Sequence, residues 1–185
     1  MNIEKITKLW REILIEIGEN PKREGLIDTP KRIAKMYQEI FRGYDESQKP
    51  NLTCFDNGSD GILYDDIIMD TGNFNSFCEH HGALFSGTYY FGYIPDRKVV
   101  GLSKIARVVD YFAARLQIQE RLGRQIIKEI DETVRPKGCI LIMKAKHTCK
   151  STRGVKKDGE MTTIITTGIF RKESSLEQKF ISLIK

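Results

Sequence analysis

Apolar residues at Ile3, Ile6, Leu9, Trp10, Ile13, Leu14 and Ile17 recur at the three-and-four spacing of one helix face, which predicts an amphipathic helix over 3–17. Gly18, Asn20 and Pro21 stop it. A second helix is expected from Thr29-Pro30, where threonine suits the N-cap and proline the first turn. It would bury Ile33, Tyr37, Ile40 and Phe41 and end at Gly43. Between 43 and 60 the periodicity disappears and Gly, Asp and Ser accumulate, so a loop is expected to join an N-terminal helical arm (1–45) to a main body (60–185).

Within the body, 62–71 and 84–94 are strand-length runs of β-branched and aromatic residues. Ile105, Val108, Val109, Phe112 and Leu116 form one helical stripe, and Leu122, Ile126, Ile130 and Val134 form another. Pro136-Lys137-Gly138 breaks the chain before expected strands at 139–146 and 161–170, and Leu176, Phe180 and Ile184 mark a closing helix. Strands adjacent in sequence, with the helices set apart, favour an antiparallel α+β sheet over a parallel doubly wound one.

Composition changes this picture little. The 185 residues leave room for one domain and its arm. Thirty basic against 25 acidic residues give +5, a balance that suits an anionic partner but also an ordinary solvated surface. No run of 18 apolar residues suggests a membrane span, and Met1-Asn2-Ile3-Glu4-Lys5 lacks the basic-then-apolar layout of a leader, so the cytoplasm is the expected compartment.

Cysteine and histidine placement is more informative. Cys54, Cys78, Cys139 and Cys149 are too few and too scattered for a disulfide scaffold. All three histidines lie within three residues of a cysteine, in Cys78-Glu79-His80-His81 and His147-Thr148-Cys149. Zinc prefers thiolate and imidazole, and a catalytic site has three protein ligands with one position left for water. Cys78 and His81 can be presented by one turn, Cys149 supplies a third ligand, and His80 and His147 remain for proton transfer. A closed four-ligand structural site drawn from the same five residues is also compatible with the spacing. Cys139, inside Cys139-Ile140-Leu141-Ile142-Met143, reads as a small buried hydrophobe.

Candidate anion ligands are spread more widely. Gly101-Leu102-Ser103-Lys104 falls where a strand gives way to a helix, and a helix N-terminus offers free N–H groups to phosphate. Ser103, Lys104 and Arg107 surround that turn, Arg32 and Lys35 share a face of the second helix, and Arg153 follows Cys149 by four residues. Each is equally readable as an exposed charge. Glu120, beside Gln119, is a first-turn glutamate of a common kind.

Around Cys78-Glu79-His80-His81 the chain resembles GTP cyclohydrolase I. The resemblance continues through Tyr93-Ile94-Pro95, Gly101-Leu102-Ser103-Lys104-Ile105-Ala106-Arg107-Val108-Val109-Asp110, Gln117-Ile118-Gln119-Glu120-Arg121-Leu122 and His147-Thr148-Cys149 with Arg153-Gly154-Val155. Upstream it includes Arg23-Glu24-Gly25-Leu26 and Thr29-Pro30-Lys31-Arg32, and it covers roughly residues 20–184. The resemblance implies a tunnelling fold, an antiparallel sheet with two helices on one face, assembled into a toroidal homodecamer. It implies Zn2+ at Cys78, His81 and Cys149, and guanine held by Gln119 and Glu120. Ser103, Lys104, Arg107, Arg153, Arg32 and Lys35 would hold the triphosphate, and His80 and His147 would move protons. The implied reaction opens the imidazole ring of GTP, releases formate and yields 7,8-dihydroneopterin triphosphate, the entry to tetrahydrofolate and other pterins. The expected partners are GTP and further copies of the chain, with neither nucleic acid nor membrane. The short arm leaves feedback control through an N-terminal extension unexpected. Two rivals are a nitrile reductase of the same fold, which has a nucleophilic cysteine and no zinc triad, and a nucleotide-binding protein with structural zinc.

Overall fold

The computed structural model describes residues 1–184; residue 185, the last of the expected body, lies outside them. Helix α1 (Ile3–Glu16) opens on Asn2, whose side chain accepts from the Lys5 N–H at 2.9 Å, satisfying one free donor of the first turn. Helix α2 (Thr29–Ile40) carries Pro30 in its first turn, but Thr29 lies inside the helix and the preceding Asp28 makes no capping bond. The two pack as a hairpin, with Trp10 edge-on to Tyr37 at 6.2 Å between centroids. Leu14, Pro30 and Ala34 are buried, whereas Ile33, Tyr37, Ile40 and Phe41 are only half-buried. A two-helix layer has no second side to close over them.

The arm is tied to the body at several points, among them a bond from the Leu116 N–H to the Tyr44 hydroxyl at 3.1 Å. Phe41 sits edge-on to Phe77 at 5.5 Å. Gly43 donates its N–H to the Ala114 carbonyl at 3.0 Å, and a Cβ there would stand 2.2 Å from the Tyr111 carbonyl oxygen. The expected loop over 43–60 also holds structure: two short 3-10 turns and strand β1 (Cys54–Asp56), which pairs antiparallel with β4 (Lys98–Val100).

The main sheet has the order β5-β2-β3-β6-β7. Its strands are β2 (Ile68–Cys78), β3 (Leu84–Ile94), β5 (Leu116–Gln117), β6 (Gly138–His147) and β7 (Glu160–Thr166). All neighbours are antiparallel except the two-residue β5, which runs parallel to the end of β2. The first of these strands lies later than the expected 62–71. Ile62 and Leu63 are exposed and precede it, while the true strand places Phe74, Ser76 and Cys78 inward and Asn73 and Asn75 outward. An apolar run misleads where one face of the sheet is left polar. The last strand ends before the expected 170, because Gly168 at φ +52° turns the chain into α6 (Ile169–Lys172).

Helices α3 (Leu102–Ala113) and α4 (Gln119–Val134) cover one face, packing Val108, Ile126 and Ile130 against Phe74, Phe91 and Leu141. On the other face, Phe170 and Phe180 of α6 and α7 (Ser174–Leu183) cover Ile140 and Ile142. Beyond them that face turns polar, with Asn73, Thr88, Lys144 and Thr162 in one cross-strand row and Asn75, Ser86, Lys146 and Glu160 in the next. The architecture is thus α+β, with two helices on one side of a mainly antiparallel sheet. Among the described residues no helix is long and apolar enough to cross a membrane.

The arm junction supplies a stability test. Gly43→Ala drives a methyl group into backbone carbonyls that cannot rotate away. It should cost about 1–3 kcal/mol, the usual range for overpacking, and lower the urea midpoint at matched protein concentration. An unchanged midpoint would mean that the arm re-seats without loss.

Candidate metal centre

Strand β2 ends on Cys78, and the chain turns back into β3 within six residues. The turn is closed by bonds from Cys78 N–H to the Ala83 carbonyl and from Gly82 N–H to the Cys78 carbonyl, both 2.8 Å. Gly82 takes φ +62°, a left-handed conformation that glycine adopts without strain. Two further links hold this turn to β5 and to the start of α4. The Glu79 N–H donates to the Gln117 carbonyl at 3.0 Å. Arg121 meets the Glu79 carboxylate with both terminal nitrogens, one of them at 3.0 Å, and holds that carboxyl below its usual range.

The second metal motif arrives through strand register. Phe85 pairs with His147, so the end of β6 lies beside the start of β3. Gly87, opposite Ala145, permits this approach, since a Cβ there would stand 1.8 Å from the Lys144 carbonyl oxygen. Cys149 follows in the one-turn helix α5 (Thr148–Ser151), anchored by Thr148 Oγ1 donating to the Leu84 carbonyl at 2.6 Å.

The sulfurs of Cys78 and Cys149 and a ring nitrogen of His81 all lie within 4.8 Å of one another. Cys78 Sγ is 3.9 Å from His81 Nδ1. Tetrahedral zinc with ordinary bond lengths sets sulfur–nitrogen and sulfur–sulfur pairs about 3.5–3.8 Å apart, so small shifts suffice. His80 Nδ1 is also close to the Cys78 sulfur, at 3.6 Å, but falls outside the mutual set. Burial and the adjacent Cys78 sulfur push the Cys149 thiol up, a penalty that a cation between the sulfurs would reverse. Cys78 is buried and His81 exposed, so the set opens to solvent on its histidine side. Donor type, spacing and access all fit a zinc ion with an open coordination position.

Four other expected residues, His147, Gln119, Glu120 and Arg153, gather here. Burial pulls the His147 imidazole below its usual range, while the Glu120 carboxylate opposes this and Lys150 adds to it. His147 Nε2 lies 2.9 Å from Gln119 Oε1. Arg153 directs Nη1 onto His81 Nε2, placing a fixed cation beside the triad. Ser103, Lys104, Arg107, Arg32 and Lys35 do not join this group. Ser103 and Lys104 line a separate cleft of about 820 Å³ with Asp70, Thr71 and Tyr89, near the other end of β2. Arg107 is exposed on the next turn of α3. Arg32 and Lys35 are exposed on α2, Arg32 pairing with Asp28 at 3.5 Å.

Sequence reasoning missed two contributors. Phe85 stacks on His147 with centroids 4.5 Å apart and planes 4° apart; its only signal was a place at the start of an apolar strand. The Glu79–Arg121 pair was visible as two motif residues, but nothing in the spacing joined them.

The geometry yields a metal test. Cys78→Ser and Cys149→Ser should each lose bound zinc, whereas His147→Ala should keep it. Full zinc content in either cysteine variant, by elemental analysis, would remove that residue from the ligand set.

Residues 6–185 match the family model described as GTP cyclohydrolase I. A relative named GTP cyclohydrolase 1 from Clostridium kluyveri is 44% identical over 187 residues, covering 100% of this chain and 99% of its own. Those from Bartonella bacilliformis and Rickettsia bellii are 41% and 43% identical, covering 100% and 99% of this chain and 90% and 98% of their own. Matches of this extent leave no part of the fold outside the comparison, and the chain belongs to the GTP cyclohydrolase I family of enzymes.

Proposed function

We propose that the protein is a zinc-dependent GTP cyclohydrolase of the cytoplasm, which opens the imidazole ring of guanine, releases C8 as formate and forms 7,8-dihydroneopterin triphosphate. The observation that carries this is the convergence of Cys78, His81 and Cys149 within 4.8 Å of one another, beside a histidine held on two sides by Gln119 and Phe85. Cys78, His81 and Cys149 would hold zinc. Bound there, zinc supplies Lewis acidity and makes water nucleophilic near neutral pH. His147 or His80 holds and returns the proton at guanine N7 as the ring opens. Glu120, exposed in the first turn of α4 and near enough to act on His147, accepts from N1–H and the exocyclic amine. That pairing selects guanine over adenine, because the wrong base leaves the carboxylate unpaired. Arg153 contributes positive charge for the triphosphate.

The remaining triphosphate ligands come from a neighbouring copy. The cleft of Ser103 and Lys104 meets β2 from Asp70 to Asn73, which lie eight to five residues before Cys78. At about 3.4 Å per residue that is roughly 17–27 Å, a span that favours pairing this cleft with a neighbour's metal turn. Sheet edges also favour assembly: among the described residues β7 pairs on one side only, and β5 covers only the end of β2. Closing such edges against other copies into a ring, a toroidal decamer in the form implied by the family resemblance, removes the exposed ladder groups.

Formate release from GTP by the purified zinc-loaded protein is the direct test, and its absence would sink the reading. Glu120→Ala should abolish turnover with zinc retained; near-normal kinetics would return Glu120 to an ordinary first-turn glutamate.

Shared sites make a second prediction. Inactive His147→Ala and Lys104→Ala proteins, unfolded together and reassembled in equal amounts, should regain on the order of a quarter of wild-type activity, because some interfaces receive both intact residues. The same proteins refolded separately and then mixed serve as the control. No recovery in verified mixed assemblies would place both residues in one chain's site.

A further inference from the structure

We propose that Gln119 is the positioning residue that fixes the tautomer of His147, so that Nε2 carries the hydrogen and Nδ1 is the ring atom free to exchange protons with substrate. This rests on the reading of His147 as a proton-transfer group. Gln119 is 1% exposed, which leaves its amide no solvent partner. Its nitrogen stands 2.9 Å from the Met143 carbonyl oxygen, 3.1 Å from that of Met161 and 2.8 Å from Thr163 Oγ1. Backbone carbonyls only accept, so the amide end facing them must be the NH2 group. The flipped amide would press its oxygen against two carbonyl oxygens and lose both bonds in a buried site. The orientation therefore follows from chemistry and does not depend on seeing hydrogens.

The consequence passes to the ring. With NH2 committed to the sheet, Oε1 is the end that meets His147 Nε2 at 2.9 Å. An amide oxygen only accepts, so Nε2 donates. A neutral imidazole has one N–H, which leaves Nδ1 as the basic atom. Stacking on Phe85, with planes 4° apart, resists the ring rotation that would carry Nε2 off Oε1 and put Cε1 in its place. The acceptors themselves come from β6 and β7, where Met143 pairs with Thr163 and Ala145 with Met161. The register of two strands is thus read by one amide and delivered as a proton position. Both amide hydrogens are spent within the protein, so the Gln119 side chain acts on the reaction through His147 and not by gripping guanine.

Magic-angle-spinning NMR of the full-length, zinc-loaded protein with 15N-histidine reads the tautomer directly. The chain has three histidines, and the spectrum of His147→Ala assigns the His147 signals. At a pH where the ring is neutral, wild type should show a protonated Nε2 and a bare Nδ1. Gln119→Met should shift population toward the Nδ1–H form and lower kcat roughly 10- to 100-fold, the range for partners that orient a functional histidine, with KM for GTP little changed. If Gln119→Met fails to assemble, Gln119→Asn withdraws the oxygen from the ring while keeping an amide, and should show the same shift. An Nδ1–H ring in wild type would overturn the proposal, and so would identical populations in wild type and the variants. A raised KM with unchanged kcat would overturn it too, by marking Gln119 as a base contact. The spectra need no turnover, so a protein that releases no formate would sink the functional reading while leaving the tautomer result intact.

Discussion

Strand β3 is hydrogen-bonded along both sides, and its register decides where the chemistry of the chain meets. On one side Phe77 faces Leu84, which puts Cys78 at the hairpin turn. On the other, Phe85 faces His147, which brings Thr148 and Cys149 to the same turn. A slip of one residue in either pairing would send alternate side chains to the opposite face. The slip would bury Thr88 and expose Tyr89, a cost spread over ten paired residues on each side. The aromatic and aliphatic packing of the helix-covered face therefore also holds the two cysteines near each other. A metal site built this way needs no local strain, since the whole sheet supports its ligand spacing.

Helix α4 uses the same constraint in a different way. Its first turn carries Gln119, Glu120 and Arg121, and each points to a different task. Gln119 is buried and bonded to the backbone of β6 and β7, Glu120 is exposed near His147, and Arg121 grips Glu79 in the metal turn. Successive residues of a helix fan out by about 100°, so one turn can serve the core, the site and the neighbouring loop together. Ile126, Ile130 and Val134 further along are fully buried and fix the axis. The position of the first turn is then set by core packing far from the chemistry.

Much of this was readable in the sequence, for identifiable reasons. Stripes such as Leu122-Ile126-Ile130 announce a helix because one face must meet the core, and α4 lies where they put it. The metal set was readable because soft ligands are rare in the chain and clustered. What failed was any inference that needed the second face of the sheet. The exposed Ile62 and Leu63 resembled a strand start, while Asn73 and Asn75 in the real strand argued against one. Alternation shows that one face is polar but not whether it meets water or another chain. Phe85 under His147 was hidden for a related reason. An aromatic at a strand start is ordinary, and its partner lies 62 positions later in a register that no local pattern specifies.

The separation between the two ends of β2 gives the chain its remaining asymmetry. At the Cys78 end nearly every polar group is engaged: Glu79 with Arg121, Gln119 with three oxygens and a histidine, Thr148 with Leu84. At the Lys104 end the cleft is wide and is lined by one cation, Lys104, with Leu102 79% exposed beside it. A rigid, internally satisfied constellation suits bond-making steps, whose geometry must hold within fractions of an ångström. Phosphate tolerates looser contacts because charge acts over longer range. Under the proposed reaction the two requirements are met by opposite ends of the same strand, and a second copy would bring them together. An exposed leucine next to a half-buried lysine is poorly suited to a free surface. It suits a boundary at which an apolar contact seats the neighbour and Lys104 then faces its metal turn. Assembly would in that case complete the site as well as protect the sheet edges, and loss of the interface would silence the chemistry without disturbing a single metal ligand.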